Sequence, residues 1–111
     1  MQNFIEIQWT AGSIDEARKI ARYLVQERLV ASAQIIPWIE SIYMWNNQLE
    51  TVQESKVVCR TIQGNFKAIE EVILQNSSYE VPEILQTAYT GGSEPYLNWV
   101  KETTKSVNQG V

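Results

Sequence analysis

A charged stripe on one predicted strand offers the side chains best suited to chemistry in this sequence. Glu54, Lys56 and Arg60 stand at even spacing in the segment TVQESKVVCRTI, so they project from one face of a strand. Because unpaired charge is costly to bury, this stripe must meet water, a partner subunit or a ligand. Neighbouring segments add three candidate aromatic side chains, namely Tyr43, Trp45 and Tyr79. One interpretation is a salt-bridged contact between subunits. The other is a polar cleft between subunits that binds a small anionic or zwitterionic molecule.

Catalysis and metal binding have few candidate residues. The 111 residues include no histidine, which removes the usual general base at neutral pH. Neither a nucleophile elbow nor a Gly-rich phosphate loop is present. TGGSE (90–94) precedes a predicted helix and is either an anion-binding helix start or a simple turn. Glu80 and Glu83 could hold a hard cation only weakly, since alternation along a strand would put them on opposite faces. We predict no catalytic and no metal-ligating residue.

The composition argues against several classes of partner. The 13 acidic and 9 basic residues give a formal net charge of −4, and the basic residues are scattered, which argues against a nucleic-acid surface. No apolar run approaches the roughly 18 residues of a membrane helix, and MQNFIEIQWT lacks the features of a signal peptide. A single cysteine, Cys59, makes no intrachain disulfide and is expected to be a small buried hydrophobe. The expected location is the cytoplasm.

Hydrophobic periodicity predicts six main elements and a short terminal helix. Strands are predicted at 3–11, 32–45, 51–62 and 79–89, and helices at 12–30, 64–76 and from Ser93 onward. Ser13 and Glu16 match a capping box, and Pro95 suits the first turn of the last helix. The four tryptophans are predicted to be packing anchors. Residues 1–105 are predicted to form one domain, with a flexible C-terminal tail at 106–111.

The element order predicts an α+β fold, the ferredoxin-like β-α-β-β-α-β sandwich with an extra C-terminal helix. Right-handed crossovers place the first and third strands in the middle of the sheet and the other two at its edges. Edge strands tolerate proline because one side of their hydrogen-bond ladder is unpaired. We therefore interpret Pro37 and Pro82 as edge-strand residues, in the second and fourth strands respectively.

The hairpin formed by residues 32–62 is longer than its sheet can cover. Each of its strands would extend on the order of 40 Å at roughly 3.3 Å per residue, whereas typical strands have about 5–6 residues. The overhang carries apolar side chains, which an isolated ribbon would expose to water: Ile39, Ile42, Tyr43, Met44 and Trp45. We predict that these hairpins pair between subunits in a closed ring. In the alternative interpretation, Pro37 breaks the strand into two short ones.

Several segments together resemble the CutA divalent-cation tolerance family. They are IARYLVQERLVASAQIIP (20–37), SIYMW (41–45), Glu54 with CRT (59–61), YEVPEI (79–84) and YLNWV (96–100). The resemblance implies a ferredoxin-like subunit in a tight, PII-like homotrimer. It also implies a metal site with a cysteine at the end of the first strand, histidine before the tyrosine of YEVPEI, and a further cysteine in the second strand. Those positions hold Trp9, Asn76 or Ser77, and Ser32 here, so the soft ligands are missing.

The expected function follows from this resemblance and from the residue inventory. We expect a non-catalytic cytosolic homotrimer of the CutA type, involved in divalent-cation (copper) tolerance, with no cofactor beyond a weakly held divalent cation. The alternative is a PII-like sensor or binding module that holds a small metabolite or nucleotide in its intersubunit clefts. Neither expectation includes a nucleic-acid or membrane partner.

Overall fold

The computed structural model describes residues 3–107 and has the predicted element order. Its elements are β1 (Phe4–Ala11), α1 (Ile14–Gln26), β2 (Ser32–Trp45), β3 (Gln48–Ile62), a 3₁₀ turn (Gln63–Asn65), α2 (Phe66–Asn76), β4 (Ile84–Ala88) and α3 (Glu94–Thr103). Among residues 3–107, none of the helices has the combined length and apolar character of a membrane span.

The four strands form one antiparallel sheet in the order β2-β3-β1-β4, so the predicted central and edge strands are confirmed. Alternate residues of β1 enter the core, including Ile5, Ile7 and Trp9, all at most 1% exposed. The inner faces of α1 and α2 cover this side of the sheet, for example through Leu24 and Ile73. Burial of this apolar surface is the main stabilising contribution of the fold.

The packing role predicted for the tryptophans holds within the chain only for Trp9. Trp38, Trp45 and Trp99 are 67%, 46% and 44% exposed, because they lie on the hairpin and on the outer side of α3. Trp99 contacts Tyr96, with 5.6 Å between the ring centroids. Large exposed rings on the hairpin add to the apolar surface that a partner could cover.

The start of α1 departs in one respect from the predicted capping box. Ser13 Oγ accepts the backbone N–H of Glu16 at 3.1 Å, as expected for an N-cap. The Glu16 carboxylate, however, accepts the backbone N–H of Ser78 at 3.1 Å. Glu16 thus joins the start of α1 to the connection between α2 and β4.

The interpretation of Pro82 as a strand residue is wrong. β4 begins at Ile84 and pairs with β1 only from Ile84 to Ala88, so Pro82 lies in the connection that precedes it. Pro37 does lie in edge strand β2, at a register shift between Ile36 and Ile39. There Trp38 has a positive φ of 62°, a conformation uncommon outside glycine. Pro37 therefore coincides with a bulge, and β2 continues as one strand of 14 residues.

The predicted overhang of the hairpin is present. β1 pairs with β3 only over Ser55–Ile62, which leaves Gln48–Glu54 with β2 as its only neighbouring strand in the described chain. Asn46 and Asn47 close the hairpin with φ values of 52° and 64°, as a two-residue type I′ turn requires. The molecule is consequently elongated, at 45 × 27 × 23 Å.

The buried side chain of Asn65 is one of the groups that anchor the C-terminal segment to the body. Asn65 Nδ2 donates to the carbonyls of Leu29 (3.0 Å) and Lys105 (2.7 Å), and its Oδ1 accepts the N–H of Val107 at 3.2 Å. Val107 packs against the core. The rest of the predicted tail, 108–111, lies outside the described residues.

Candidate functional site

A cleft of about 620 Å³ lies between the overhanging hairpin and the connection of residues 77–83, and we call it the hairpin cleft. Four of the six predicted site residues line it, namely Tyr43, Trp45, Glu54 and Tyr79. Its other polar lining residues are Thr10, Ser41, Glu50, Ser78, Glu80 and Glu83. Strands and a loop that are far apart in sequence therefore place these side chains around one space.

The closest contact in the hairpin cleft joins Tyr79 to Glu54. The Tyr79 hydroxyl donates to Glu54 Oε2 at 2.5 Å, a short distance typical of a hydrogen bond to a carboxylate. Glu54 is only 8% exposed, so this donor replaces water that the carboxylate has lost. Burial raises the pKa of Tyr79 well above its usual value of 10.0, and the hydrogen bond to Glu54 raises it further. Tyr79 therefore remains a neutral donor throughout the physiological pH range.

The position of Tyr79 depends on the turn between β1 and α1. A Cβ atom added to Gly12 would lie 3.1 Å from Ser78 Oγ and 3.5 Å from the Tyr79 hydroxyl, so glycine permits this close approach. The Tyr79 N–H donates to Ser77 Oγ at 3.1 Å, and the Ser78 N–H donates to Glu16. These contacts fix the 77–83 connection as one wall of the cleft.

Arg60 belongs to a second cluster, on the face of the sheet opposite the helices. Its Nε donates to the Tyr89 hydroxyl at 3.1 Å, and its Nη2 lies 3.8 Å from Glu6 Oε1. The Tyr89 hydroxyl in turn donates to Glu6 Oε1 at 2.6 Å, and the amides of Gln8 and Gln34 bond Glu6 and Arg60 respectively. We call this set the sheet-face cluster. The pKa of Glu6 is lowered, mainly by the hydrogen bond from Tyr89. The hydrogen bond from Gln8 and the positive charge of Arg60 lower it further.

The six predicted site residues thus do not form one group. Lys56 pairs in register with Thr10 of β1 and Ile36 of β2 and does not line the hairpin cleft, and Arg60 lies further along β3. Sequence reasoning missed Glu6 and Tyr89. Glu6 could have been found from strand register, because it faces Arg60 directly across the β1–β3 ladder.

The lining of the hairpin cleft is negatively charged, whereas one of the two sequence interpretations assigned a small anionic or zwitterionic ligand to these residues. Its lining includes four carboxylates, those of Glu50, Glu54, Glu80 and Glu83, and no lysine or arginine. An anionic ligand would need the positive charge of Lys56 and Arg60, which lie elsewhere. Coulomb attraction therefore favours a cation in this space, with Tyr43 and Trp45 able to contact it through their rings.

The residues present do not fit a copper site of the kind that the resemblance implies. Trp9 is 1% exposed, and its indole N–H, which has no hydrogen-bond partner among the described residues, can donate but cannot ligate a metal. Burial raises the pKa of the Cys59 thiol to about 12, so it is not a thiolate at neutral pH. Within residues 3–107, no group of three or more His, Cys, Asp or Glu side chains is placed to hold a metal ion.

Glu80 and Glu83 do not lie on a strand as the sequence predicts. Both lie in the connection before β4 and line the hairpin cleft, so they are not on opposite faces of a strand. The irregular backbone of residues 77–83 places both glutamates at the lining of the same space. A diffuse negative charge is the result, without a set of converging metal ligands.

Comparison with known proteins gives consistent matches over most of the chain. A family model described as CutA1 divalent ion tolerance protein matches residues 5–103. Divalent-cation tolerance protein CutA of Thermus thermophilus is 36% identical over 95 residues, which are 86% of this chain and 92% of the relative. Protein CutA, chloroplastic, of Arabidopsis thaliana is 33% identical over 102 residues, or 92% of this chain. The chain spans about half the length of that relative, 56% of it. The solved structure of the periplasmic divalent cation tolerance protein CutA from Archaeoglobus fulgidus matches with a TM-score of 0.85 and 31% identity, over 95% of this chain and all of that one.

Proposed function

The chain belongs to the CutA1 family of divalent ion tolerance proteins, and we propose that it contributes to divalent-cation tolerance as a non-catalytic homotrimer that acts by binding. The residue inventory supports a role without catalysis, since the sequence has no histidine and its one thiol is buried. The names of the relatives refer to ion tolerance and to no reaction. The cytoplasm is the proposed location, because a single free cysteine suits a reducing compartment.

The overhang of the hairpin is the main observation that supports the proposed trimer. Its exposed apolar side chains include Ile42 (62%), Met44 (62%) and Leu49 (69%). β2 is also an edge strand over its whole length, with one row of backbone donors and acceptors unpaired in the isolated chain. Pairing of the hairpins in a closed ring would cover both the apolar surface and the open edge. The sheet face opposite the helices, with Ile36 and Leu85 47% and 59% exposed, would line the interior of such a ring.

Light scattering tests the assembly. We expect a mass of about three times the 12.8 kDa chain. Trp45→Lys places a charge on the overhang and is expected to dissociate or aggregate the protein. Leu74→Lys is the matched control, since Leu74 is 53% exposed on α2 and away from the hairpin. A well-folded wild-type protein with the mass of one chain would refute the trimer.

Copper binding is expected to be weak in this member of the family. Imidazole and thiolate give a site its affinity for copper, and this chain offers neither in accessible form. Titration calorimetry with Cu²⁺ is expected to show no stoichiometric binding in the micromolar range. Tight binding at one ion per chain would show that carboxylates of neighbouring subunits supply a site that one chain lacks.

A second candidate function is the binding of a small organic cation in the hairpin cleft. The four carboxylates of its lining favour an ammonium group, and the rings of Tyr43 and Trp45 favour an apolar or aromatic body. The same charges disfavour a nucleotide, because its phosphates would be repelled. This proposal narrows the binding-module alternative to a metabolite that carries positive charge.

Phenethylammonium is a suitable probe for this second function. We expect saturable binding by calorimetry, several-fold weaker in the double variant E80Q/E83Q than in the wild type. E70Q/E71Q is the matched control, because it removes the same charge from α2, outside the cleft. If both double variants bound phenethylammonium equally more weakly than the wild type, the effect would come from net charge and not from the hairpin cleft. Absence of wild-type binding at about millimolar concentration would refute the proposal.

A further inference from the structure

A second concavity of about 540 Å³ lies between α1 and α2, on the helical side of the molecule, and we call it the helix groove. It shares no lining residue with the hairpin cleft. Lys19 and Arg22 supply two positive charges to its lining, and no aspartate or glutamate takes part in that lining. In a chain with a net charge of −4, this is a local reversal of sign.

The two cations of the helix groove have no ion-pair partner among residues 3–107. Arg18, which directly precedes Lys19 on α1, lies 4.0 Å from Asp15, whereas no ion pair within residues 3–107 involves Lys19 or Arg22. Exposed ion pairs contribute little to stability in water, so the lack of a partner does not destabilise the fold. Both cations are therefore available to a ligand. Arginine presents a planar fork that matches phosphate oxygens, and lysine adds a point charge.

The remaining lining residues complete a site for an anion that carries an organic group. The side-chain amides of Gln26, Gln75 and Asn76 and the hydroxyl of Tyr23 offer neutral donors. One N–H of Gln75 is directed to Glu71 (3.5 Å) and one of Asn76 to the Val72 carbonyl (2.8 Å), which leaves the second N–H of each amide for a ligand. Buried Ile20 and half-buried Val72 give the groove an apolar floor.

We propose that the helix groove binds a small organic phosphate, with Lys19 and Arg22 on the phosphate group and the apolar floor under the organic part. The groove lies on two helices of one chain, so the site does not depend on assembly. It shares no lining residue with the hairpin cleft, so the proposed cation ligand and this anion would bind at separate sites.

Phenyl phosphate is the probe for this proposal, added to the uniformly ¹⁵N-labelled full chain and followed by NMR. We expect saturable shifts confined mainly to the amides of 19–26 and 72–76. The double variant K19Q/R22Q is expected to bind at least about tenfold more weakly, which corresponds to about 1.4 kcal/mol. Both side chains are exposed, so the variant is expected to keep the wild-type fold, which its spectrum reports directly.

Arg18→Gln is the matched control, since it removes a positive charge from α1 outside the groove. Binding by R18Q within about twofold of wild type would support a local site, because exposed charges act weakly over distance at ordinary ionic strength. Three results would overturn the proposal: no saturation in the millimolar range, shifts centred elsewhere, or equal weakening in R18Q and K19Q/R22Q. Binding of polyglutamate without binding of phenyl phosphate would also overturn it, in favour of an acidic protein partner.

Discussion

Tyr79→Phe tests the central contact of the hairpin cleft, because it removes one hydroxyl and keeps the ring. That hydroxyl donates to Glu54 at 2.5 Å, and Glu54 is 8% exposed. A hydrogen bond to a charged group contributes about 1.5–3 kcal/mol, and loss of the donor leaves a largely buried carboxylate without its partner. We therefore expect the free energy of unfolding to fall by about 1.5–3 kcal/mol.

Urea unfolding at neutral pH, followed by tryptophan fluorescence, measures this change. Chain concentration must be the same for all variants, since the stability of an oligomer depends on it. Tyr43→Phe is the control, because Tyr43 lines the same cleft, is 40% exposed, and forms no hydrogen bond through its hydroxyl within residues 3–107. It is expected to change stability by less than about 0.5 kcal/mol. A Tyr79→Phe variant as stable as Tyr43→Phe would show that water or another subunit satisfies Glu54, and the reasoning would fail.

Three further predictions concern the body of the fold. Asn65→Ala leaves the Lys105 carbonyl and the Val107 N–H without their partner and is expected to cost about 2–4 kcal/mol in urea unfolding. The exposed control Gln63→Ala is expected to cost under about 0.5 kcal/mol. Folding raises the pKa of Cys59 from 9.0 to about 12. The free energy of unfolding should therefore fall between these pH values, by up to about 1.4 kcal/mol per pH unit. In Cys59→Ala, this alkaline part of the curve of stability against pH should be flatter. An equally steep alkaline limb in that variant would contradict the prediction. Because folding lowers the pKa of Glu6, its contribution is present above about pH 4.5 and is lost on acidification, so Glu6→Gln should make the acid limb shallower. An unchanged acid limb would assign that limb to other carboxylates.

The sequence was sufficient for the fold because its elements differ in hydrophobic period. Alternation over 3–11 and helical spacing over 12–30 predicted β1 and α1, and hairpin length alone predicted the overhang. The predicted start of β4 at Tyr79 is wrong, because the strand begins at Ile84. YEVP has the residue types of a strand, but Ser78 and Tyr79 hold that segment against the β1–α1 turn and against Glu54 of β3. Tertiary contacts of this kind outweigh local propensity.

The composition of the candidate site was predictable only in part. Even spacing on β3 correctly placed Glu54, Lys56 and Arg60 on one strand, but it carried no information on how far apart their environments lie. At roughly 3.3 Å per residue, six residues separate the ends of that stripe by about 20 Å. The loop that brings Tyr79 to Glu54, and the register that brings Glu6 to Arg60, are both non-local. Spacing within β3 therefore predicts which side chains share a face, but not that Glu54 contacts Tyr79 and Arg60 contacts Glu6.

The wall of the hairpin cleft links the start of α1 to ligand chemistry. Ser13 alone supplies the N-cap bond, while Glu16 holds the Ser78 N–H and so leaves the reciprocal half of a capping box unmade. An N-cap contributes about 0.5–2 kcal/mol to helix stability. Because the Glu16 carboxylate accepts the Ser78 N–H, it does not cap α1, and the ordering of the 77–83 connection must offset this loss. What the loop gains is position: Gly12 admits Ser78 and Tyr79 at close range, and Tyr79 then reaches a nearly buried Glu54. The same connection carries Glu80 and Glu83 into the cleft. The negative charge of this cleft is thus held in place by the main fold, which is why a cation is the ligand class that its geometry favours.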